Sequence, residues 1–346
     1  MNSSSTSQNN SLKLHMPKHF KTVLFLCIVL LGVCVLASLT LGSRLVRWNE
    51  LMDGLFYSNV DSYGANIVRK RISRTVFSLF CGAALGVSGA LMQSVTRNPI
   101  ADPSILGVNT GASLFVVFGI AFLGISTAGQ YIWLALVGAA LTAVFVFAVG
   151  SMGRGGATPI KLVLAGAAIT AALSSLVTAI MIPRAYVMDQ FRFWQVGSVG
   201  SGNWSDIGTF VPFLAIGIII AFITAPALNA LALGDDVATG LGVRTGVLRL
   251  IAALAAVLLC GATTALAGPI GFIGLLATHV IRLILGSDLR FVIPMSAISG
   301  AIILTISDVL GRLIGSPGEL EVGVVTAFIG APILIILAIK SKVRSL

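Results

Sequence analysis

The chain has 346 residues, 57% of them hydrophobic and 10% charged, with a formal net charge of +10 and a mean hydropathy of +1.02. Soluble domains carry roughly 25% charged residues, so a soluble enzyme is excluded, and no segment has the polar face that a separate water-soluble domain needs. Asp102 and Arg154 bracket 51 residues (103–153) without one Asp, Glu, Lys or Arg, and further uncharged runs cover 162–183, 207–234, 250–281, 291–307 and 322–339. A hydrocarbon core of ~30 Å takes about 20 apolar residues of helix. The fold class expected is therefore all-α, a polytopic membrane protein.

In chain order, the Ser/Asn-rich stretch 1–12 reads as disordered, so 1–20 is expected to be a tail and 21–346 one membrane domain. The apolar run Val23–Leu41 follows Lys13, Lys18 and Lys21. It is longer than the apolar region of a cleaved signal, about 7–15 residues, so it is expected to stay as the first helix. The spans expected are 22–41, 75–95, 104–124, 131–152, 160–183, 207–233, 248–267, 270–286, 291–311 and 320–339, ten in all. Gly124–Gln130 supplies one turn, and Gly268-Pro269-Ile270-Gly271 breaks another long run, since Pro lacks the N–H donor and Gly weakens helix. The short span 270–286 is expected to lie partly inside protein rather than lipid.

An even count puts both termini on one side. Lys and Arg favour the cytoplasm, and this assignment leaves thirteen basic residues inside and nine outside. Six of the nine (Arg44, Arg47, Arg69, Lys70, Arg71, Arg74) crowd the first external loop, which an acidic external partner would explain. The 38 glycines include Gly82/Gly86, at the spacing that lets membrane helices approach closely. GAALGVSGA (82–90) and GATTALAGP (261–269) form a weak internal echo. Cys27, Cys34, Cys81 and Cys260 sit in apolar stretches with no zinc spacing and read as packing residues.

Three motifs carry mechanism. In TRNPIADPSILGVNTGA (96–112), Asn98, Pro99, Asp102 and Pro103 suggest a sharp re-entry, with Asp102 as N-cap and Pro103 at the first helical position. In LGDDVATGLGVRTGVLRL (233–250), Asp235 or Asp236 can cap a helix of barely two turns, Thr239 lies within it, Gly240 and Gly242 can end it, and Thr245 can cap the next. Such a helix between glycine hinges is a lever for a soluble partner. In ISDVLGRLIGSPGELEVGVVTAFIGAP (306–332), Asp308 and Arg312 share a helix face, and Ser316-Pro317-Gly318-Glu319 reads as a capping box. An ionisable residue inside a span is a functional candidate by default. A phosphate-binding loop needs Gly-Lys-Ser/Thr, but none of the seven lysines follows Gly. Any ATPase must then be another polypeptide.

LMQSVTRNPIADPSILGVNTGAS, the Asp235–Gly242 region, AGPIGFIGLLATHVIRLILGSD and GELEVGVVTAFIGAP together resemble the FecCD/vitamin-B12-type permease family of ABC importers. QFRFWQVGSV (190–199) and 316–335 are most similar to the enterobactin-type branch. The resemblance implies a ten-helix subunit in a bacterial inner membrane, both termini cytoplasmic. It implies four kinds of partner: a second, paralogous permease subunit, two cytoplasmic ATPases, a binding protein outside, and lipid. No nucleic acid is expected. It implies no cofactor in this chain, ATP and Mg belonging to the ATPases. By this resemblance Asp235, Asp236, Thr239, Gly240 and Gly242 enter an ATPase cleft, and Arg71, Arg74 and Arg312 meet glutamates of the binding protein. Ser73, Thr278 and Glu321 replace prolines usual in the family, and Thr278 puts a kink near His279 in doubt. His279 reads as a packing or hydrogen-bonding residue. The cargo implied is an iron–siderophore complex, with catecholate favoured and vitamin B12 or haem as alternatives. An ion-coupled secondary transporter would need midplane ionisable groups, and an intramembrane enzyme a nucleophile with a base or metal. The long uncharged runs argue against the first, with Asp308 the only near candidate, and the sequence offers no convincing set for the second.

Overall fold

A computed structural model describes residues 19–57, 62–125, 127–153 and 158–343. The expected tail up to Lys18, and with it Arg154 and Arg344, lies outside the described residues. Thirteen α-helices occur among the described residues: α1 Phe20–Thr40, α2 Trp48–Phe56, α3 Tyr63–Thr96, α4 Val108–Phe118, α5 Ala128–Ser151, α6 Pro159–Met181, α7 Ala185–Gln195, α8 Trp204–Ala232, α9 Asp235–Gly240, α10 Thr245–Ala267, α11 Ile273–Leu285, α12 Leu289–Ile314 and α13 Val322–Val343. A 3₁₀ turn, Pro103–Leu106, precedes α4, and a π turn, Gly119–Leu123, extends it.

Seven of these (α1, α3, α5, α6, α8, α10, α12) are long and apolar enough to cross a membrane, while α4 with its π turn, α11 and α13 are shorter apolar helices. Each expected span corresponds to one of these ten. The largest departure is at α3, which begins at Tyr63 rather than near residue 75. Ser62 caps it, accepting from the Ala65 N–H, and the helix carries its run of basic residues without a break because each is turned to an internal acceptor or to the exposed rim. Thr158 with Pro159, and Asn203, start α6 and α8 in the same side-chain-capped way.

The core is built around α3, which packs against α1, α2, α8, α10, α11 and α12. Glycine makes this possible. A methyl group at Gly82 would collide with the Gly300 carbonyl, one at Gly86 with the Ser296 carbonyl, and one at Gly89 with Gly274. Main chains therefore meet directly along one stripe of α3. The hydroxyls of Ser88 and Thr278 donate across these contacts to the carbonyls of Ala256 and Gly86. α11 runs unbroken through Thr278. Its burial at Ile273–Thr278 and Ile281 fits the expectation that the shortest span is partly sheltered by protein.

Three local expectations are corrected. Ser316–Glu319 forms no capping box: α13 starts at Val322, and the Glu319 carboxylate is taken by Arg74. α9 is capped by Gly234 rather than by an aspartate side chain, and Thr245 is the first residue of α10, not its cap. α2 and α7 were not anticipated. Both are short amphipathic helices outside the spans, with Leu51, Val187 and Phe191 as their buried anchors. Replacing Gly86 with Leu should abolish folded yield, since overpacking alone costs about 1–3 kcal/mol and here the obstacle is main chain. Gly32→Leu, on the exposed face of α1 where nothing lies within 4 Å, should leave yield and melting temperature unchanged in detergent.

Candidate functional site

Charge is concentrated at the two ends of the bundle. At one end α1 stops at Thr40, leaving its last carbonyls without intrahelical donors. Arg71 of α3 donates to the carbonyls of Leu39 and Thr40 at 3.0 Å and to that of Arg44 at 2.7 Å. Arg312 of α12 donates to the carbonyls of Ser38 and Leu41 at 3.0 and 3.2 Å, and to the Ser38 hydroxyl at 2.9 Å. Two cations thus close one helix C-terminus, where they also meet the negative end of its dipole.

Asp308 neutralises this cluster. Its carboxylate accepts from Arg74 at 2.7 Å and pairs with Arg312 at 3.0 Å, the i,i+4 contact expected on α12. The side chains of Asp308 and Arg312 are each 2% exposed. Arg74 also reaches Glu319 at 2.7 Å on the more exposed rim. The three arginines expected to face a binding protein are therefore engaged internally: Arg71 and Arg312 are buried, and Arg74 is only 12% exposed. The sequence gives their charge but not their burial. Exposed basic residues at this end include Arg44, Arg47, Lys70 and Arg192, of which Arg44 pairs with Glu50 and Arg192 with Asp189.

At the opposite end Asp235 opens α9. Its carboxylate pairs with Arg97, which follows α3, and accepts from Arg249 of α10 at 2.8 Å. Arg97, held at φ +49°, also donates to the Leu231 carbonyl at the end of α8. The α9 helix is thus clamped to α3, α8 and α10. Its flanks are Gly234 at φ +124° and Gly242 at φ +83°, backbone that side chains resist. Asp236, Thr239 and Gly240 are exposed, beside exposed Val237 and Leu241. The two aspartates differ: Asp235 is paired with Arg97 and Arg249, and Asp236 is exposed.

At the same end, Asp102 caps the 3₁₀ turn, accepting from the Ser104 N–H at 2.9 Å, with Pro103 at the first helical position. Asn98 accepts from the Ile100 N–H, and Ala101 donates back to the Asn98 carbonyl. Asn98, Pro99, Asp102 and Pro103 lie in a tight turn between α3 and α4. Burial pushes the Asp102 carboxyl up, against the Ser104 hydrogen bond. Asp288, capping α12, is held below the usual carboxylate range, mainly by hydrogen bonds from Arg290. No group of three or more His, Cys, Asp or Glu side chains among the described residues is placed to hold a metal.

Sequence reasoning left open which residues face a path through the bundle. A cavity of about 440 Å³ between α4, α6, α7 and α13 is lined by Asn109, Ser113, Ser174, Thr178 and Gln195 with apolar neighbours. On α6, Ser174 and Thr178 are one turn apart. The hydroxyl of Thr178 donates to the Ser174 carbonyl, so its polarity is softened by a local bond.

The model of the FecCD transport family matches residues 30–340. The chain is 41% identical over 319 residues to the ferric enterobactin transport system permease protein FepD of Escherichia coli, covering 92% of this chain and 94% of that one. It is 44% identical over 272 residues to the Fe(3+)-citrate import system permease protein YfmD of Bacillus subtilis, covering 79% and 80%. A solved chain from an inward-facing conformation of a metal-chelate type ABC transporter superposes with a TM-score of 0.80 at 25% identity, over 93% of this chain and 99% of that one.

Asp308→Asn should be strongly destabilising, by roughly 3–5 kcal/mol, because it strands buried arginine charge. The measurement is thermal unfolding in detergent. The double variant Asp308→Asn/Arg312→Leu should recover part of that loss, which with Arg312→Leu alone closes a double-mutant cycle with a non-zero coupling.

Proposed function

The chain belongs to the FecCD transport family, and from that premise we propose how it works: it is the membrane-spanning permease subunit of an ATP-binding-cassette importer that takes up an iron–siderophore complex. It is not itself an ATPase, in keeping with the missing Gly-Lys-Ser/Thr loop. Iron travels inside its chelate as cargo, so the permease needs no iron ligands of its own.

The observation that carries the reading is the match across 30–340 joined to the geometry of α9. A six-residue helix whose outward face carries Asp236, Val237 and Thr239, followed by exposed Leu241, suits a cleft on a cytoplasmic ATPase. That orientation makes the α9 end cytoplasmic, with both termini there, and the Arg74 end external. A binding protein would dock externally on the rim that bears Arg44, Arg47 and Lys70. Arg71, Arg74 and Arg312 hold that rim in shape from beneath, and Arg74 with Glu319 lies nearest its surface.

Pairing with a second permease subunit is supported by α6, which is apolar enough to span yet only 11% buried. Its uncovered face carries Ser174, Ser175, Thr178 and several alanines, small residues of the kind that pack helix on helix. The cavity at Asn109, Ser174 and Gln195 then faces the path between subunits. Its hydroxyl and amide lining binds weakly, and weak walls let cargo leave. The likeness to enterobactin-type permeases favours a catecholate cargo and a paralogous rather than identical partner.

Two measurements on the assembly reconstituted in proteoliposomes test this. Uptake of a labelled ferric catecholate should be competed by other ferric catecholates, and ferric citrate or hydroxamates should compete poorly. Equal competition by vitamin B12 would sink the cargo assignment. Asp236→Arg should reduce uptake about tenfold while ATP hydrolysis persists, a ~1.4 kcal/mol loss in the coupled step. Uptake at the parental rate would place the ATPase contact elsewhere.

A further inference from the structure

At the α9 end, α3, α8, α11 and the start of α12 enclose a cavity of about 190 Å³. Its lining includes Gln93, Ser94, Arg97, Arg282 and Ser287. Gln93 is 3% exposed, and both its amide oxygen and its amide nitrogen lack a hydrogen-bond partner. Arg282 donates to the Ser94 hydroxyl at 3.0 Å, but its buried Nε has no acceptor. A buried amide with neither end satisfied is rare and calls for an explanation. Asn229, also in the lining, is by contrast fully used, donating to Asp288 and accepting from the Leu289 N–H.

The local charge is positive. Asp235 is shared by Arg97 and Arg249, Asp288 is matched by Arg290, and Arg282 has no carboxylate partner among the ion pairs of the described residues. Unused donors on Arg282 and Gln93, beside a cationic surplus, suit an oxyanion.

We propose that this cavity binds the phosphate of an anionic phospholipid from the leaflet on the α9 side. The surroundings of Arg282 favour lipid as the source. Arg282 stands on the seam of α11: Thr278, Ile281 and Leu285 are buried on one side, while Val280, Leu283 and Ile284 are 43%, 73% and 52% exposed on the other. A headgroup seated at Arg282 therefore has an apolar strip beside it for its acyl chain. Basic pockets between membrane helices at this depth commonly hold anionic headgroups. The role is separate from cargo transport: the lipid would cement α3, α8, α11 and α12 at the end where α9 is anchored.

The test is native mass spectrometry of the intact permease assembly with added phosphatidylglycerol, phosphatidylcholine or inorganic phosphate as separate probes. Phosphatidylglycerol should be retained at least about tenfold better than phosphatidylcholine, and inorganic phosphate should not displace it. Gln93→Leu and Arg282→Gln should each erase the preference. Ser287→Asp, on an exposed position that leaves the packing intact, should erase it too by placing negative charge at the mouth. Equal retention of the two lipids, an unchanged preference in Ser287→Asp, or binding of inorganic phosphate without phosphatidylglycerol would each overturn the proposal.

Discussion

A charge inside a membrane protein persists only where an opposite charge or a hydrogen bond meets it, and the α3 helix answers that constraint at both ends. Near its start Arg74 meets Asp308 of α12, and just beyond its end Arg97 meets Asp235 of α9. From Arg74 to Arg97 the chain advances 23 positions, about 35 Å at 1.5 Å per residue. α3 is thus a rod pinned across the bilayer by two carboxylates, one from α12 and one from α9. Arg312 and Arg71 extend the first pin to the open end of α1, and Arg249 extends the second to α10.

Between its pins the rod is gripped by main chain. The glycine stripe at Gly82, Gly86 and Gly89 brings α12 and α11 so close that no side chain separates them. Packed interiors have few voids and transmit strain. A displacement carried into α3 therefore meets close main-chain packing along the glycine stripe on its way to the Arg74 end. The α6 helix is the opposite case, barely buried within the subunit. With the proposed second subunit on that face, a stiff subunit would move against its neighbour, the rigid-body form of alternating access.

The sequence was informative where lipid imposes a single solution and silent where distant residues choose one another. Backbone polar groups in hydrocarbon must be satisfied internally, so uncharged runs became helices, and the Gly268–Gly271 break fell where Pro and Gly forbid one. Asp102 with Pro103 and the glycines around α9 were legible because their signals are local. Glu319 was misread because its partner, Arg74, lies 245 residues away in the chain. Arg71 and Arg312 announced positive charge, while their use on the carbonyls of α1 depends on a packing that no short window contains. α2 and α7 escaped notice because helices of 9 and 11 residues mix polar and aromatic side chains without a long apolar run.

With both pins intact, α3 and α9 should move as one body. Spin labels on exposed Lys70 and Thr239, outside the two pins, measure this directly in the reconstituted assembly with and without ATP. The distance between the labels within one subunit should stay constant, while the distance from Lys70 to a label on the ATPase changes. A nucleotide-dependent change between the two labels exceeding about one helical turn, ~5.4 Å, would contradict the account.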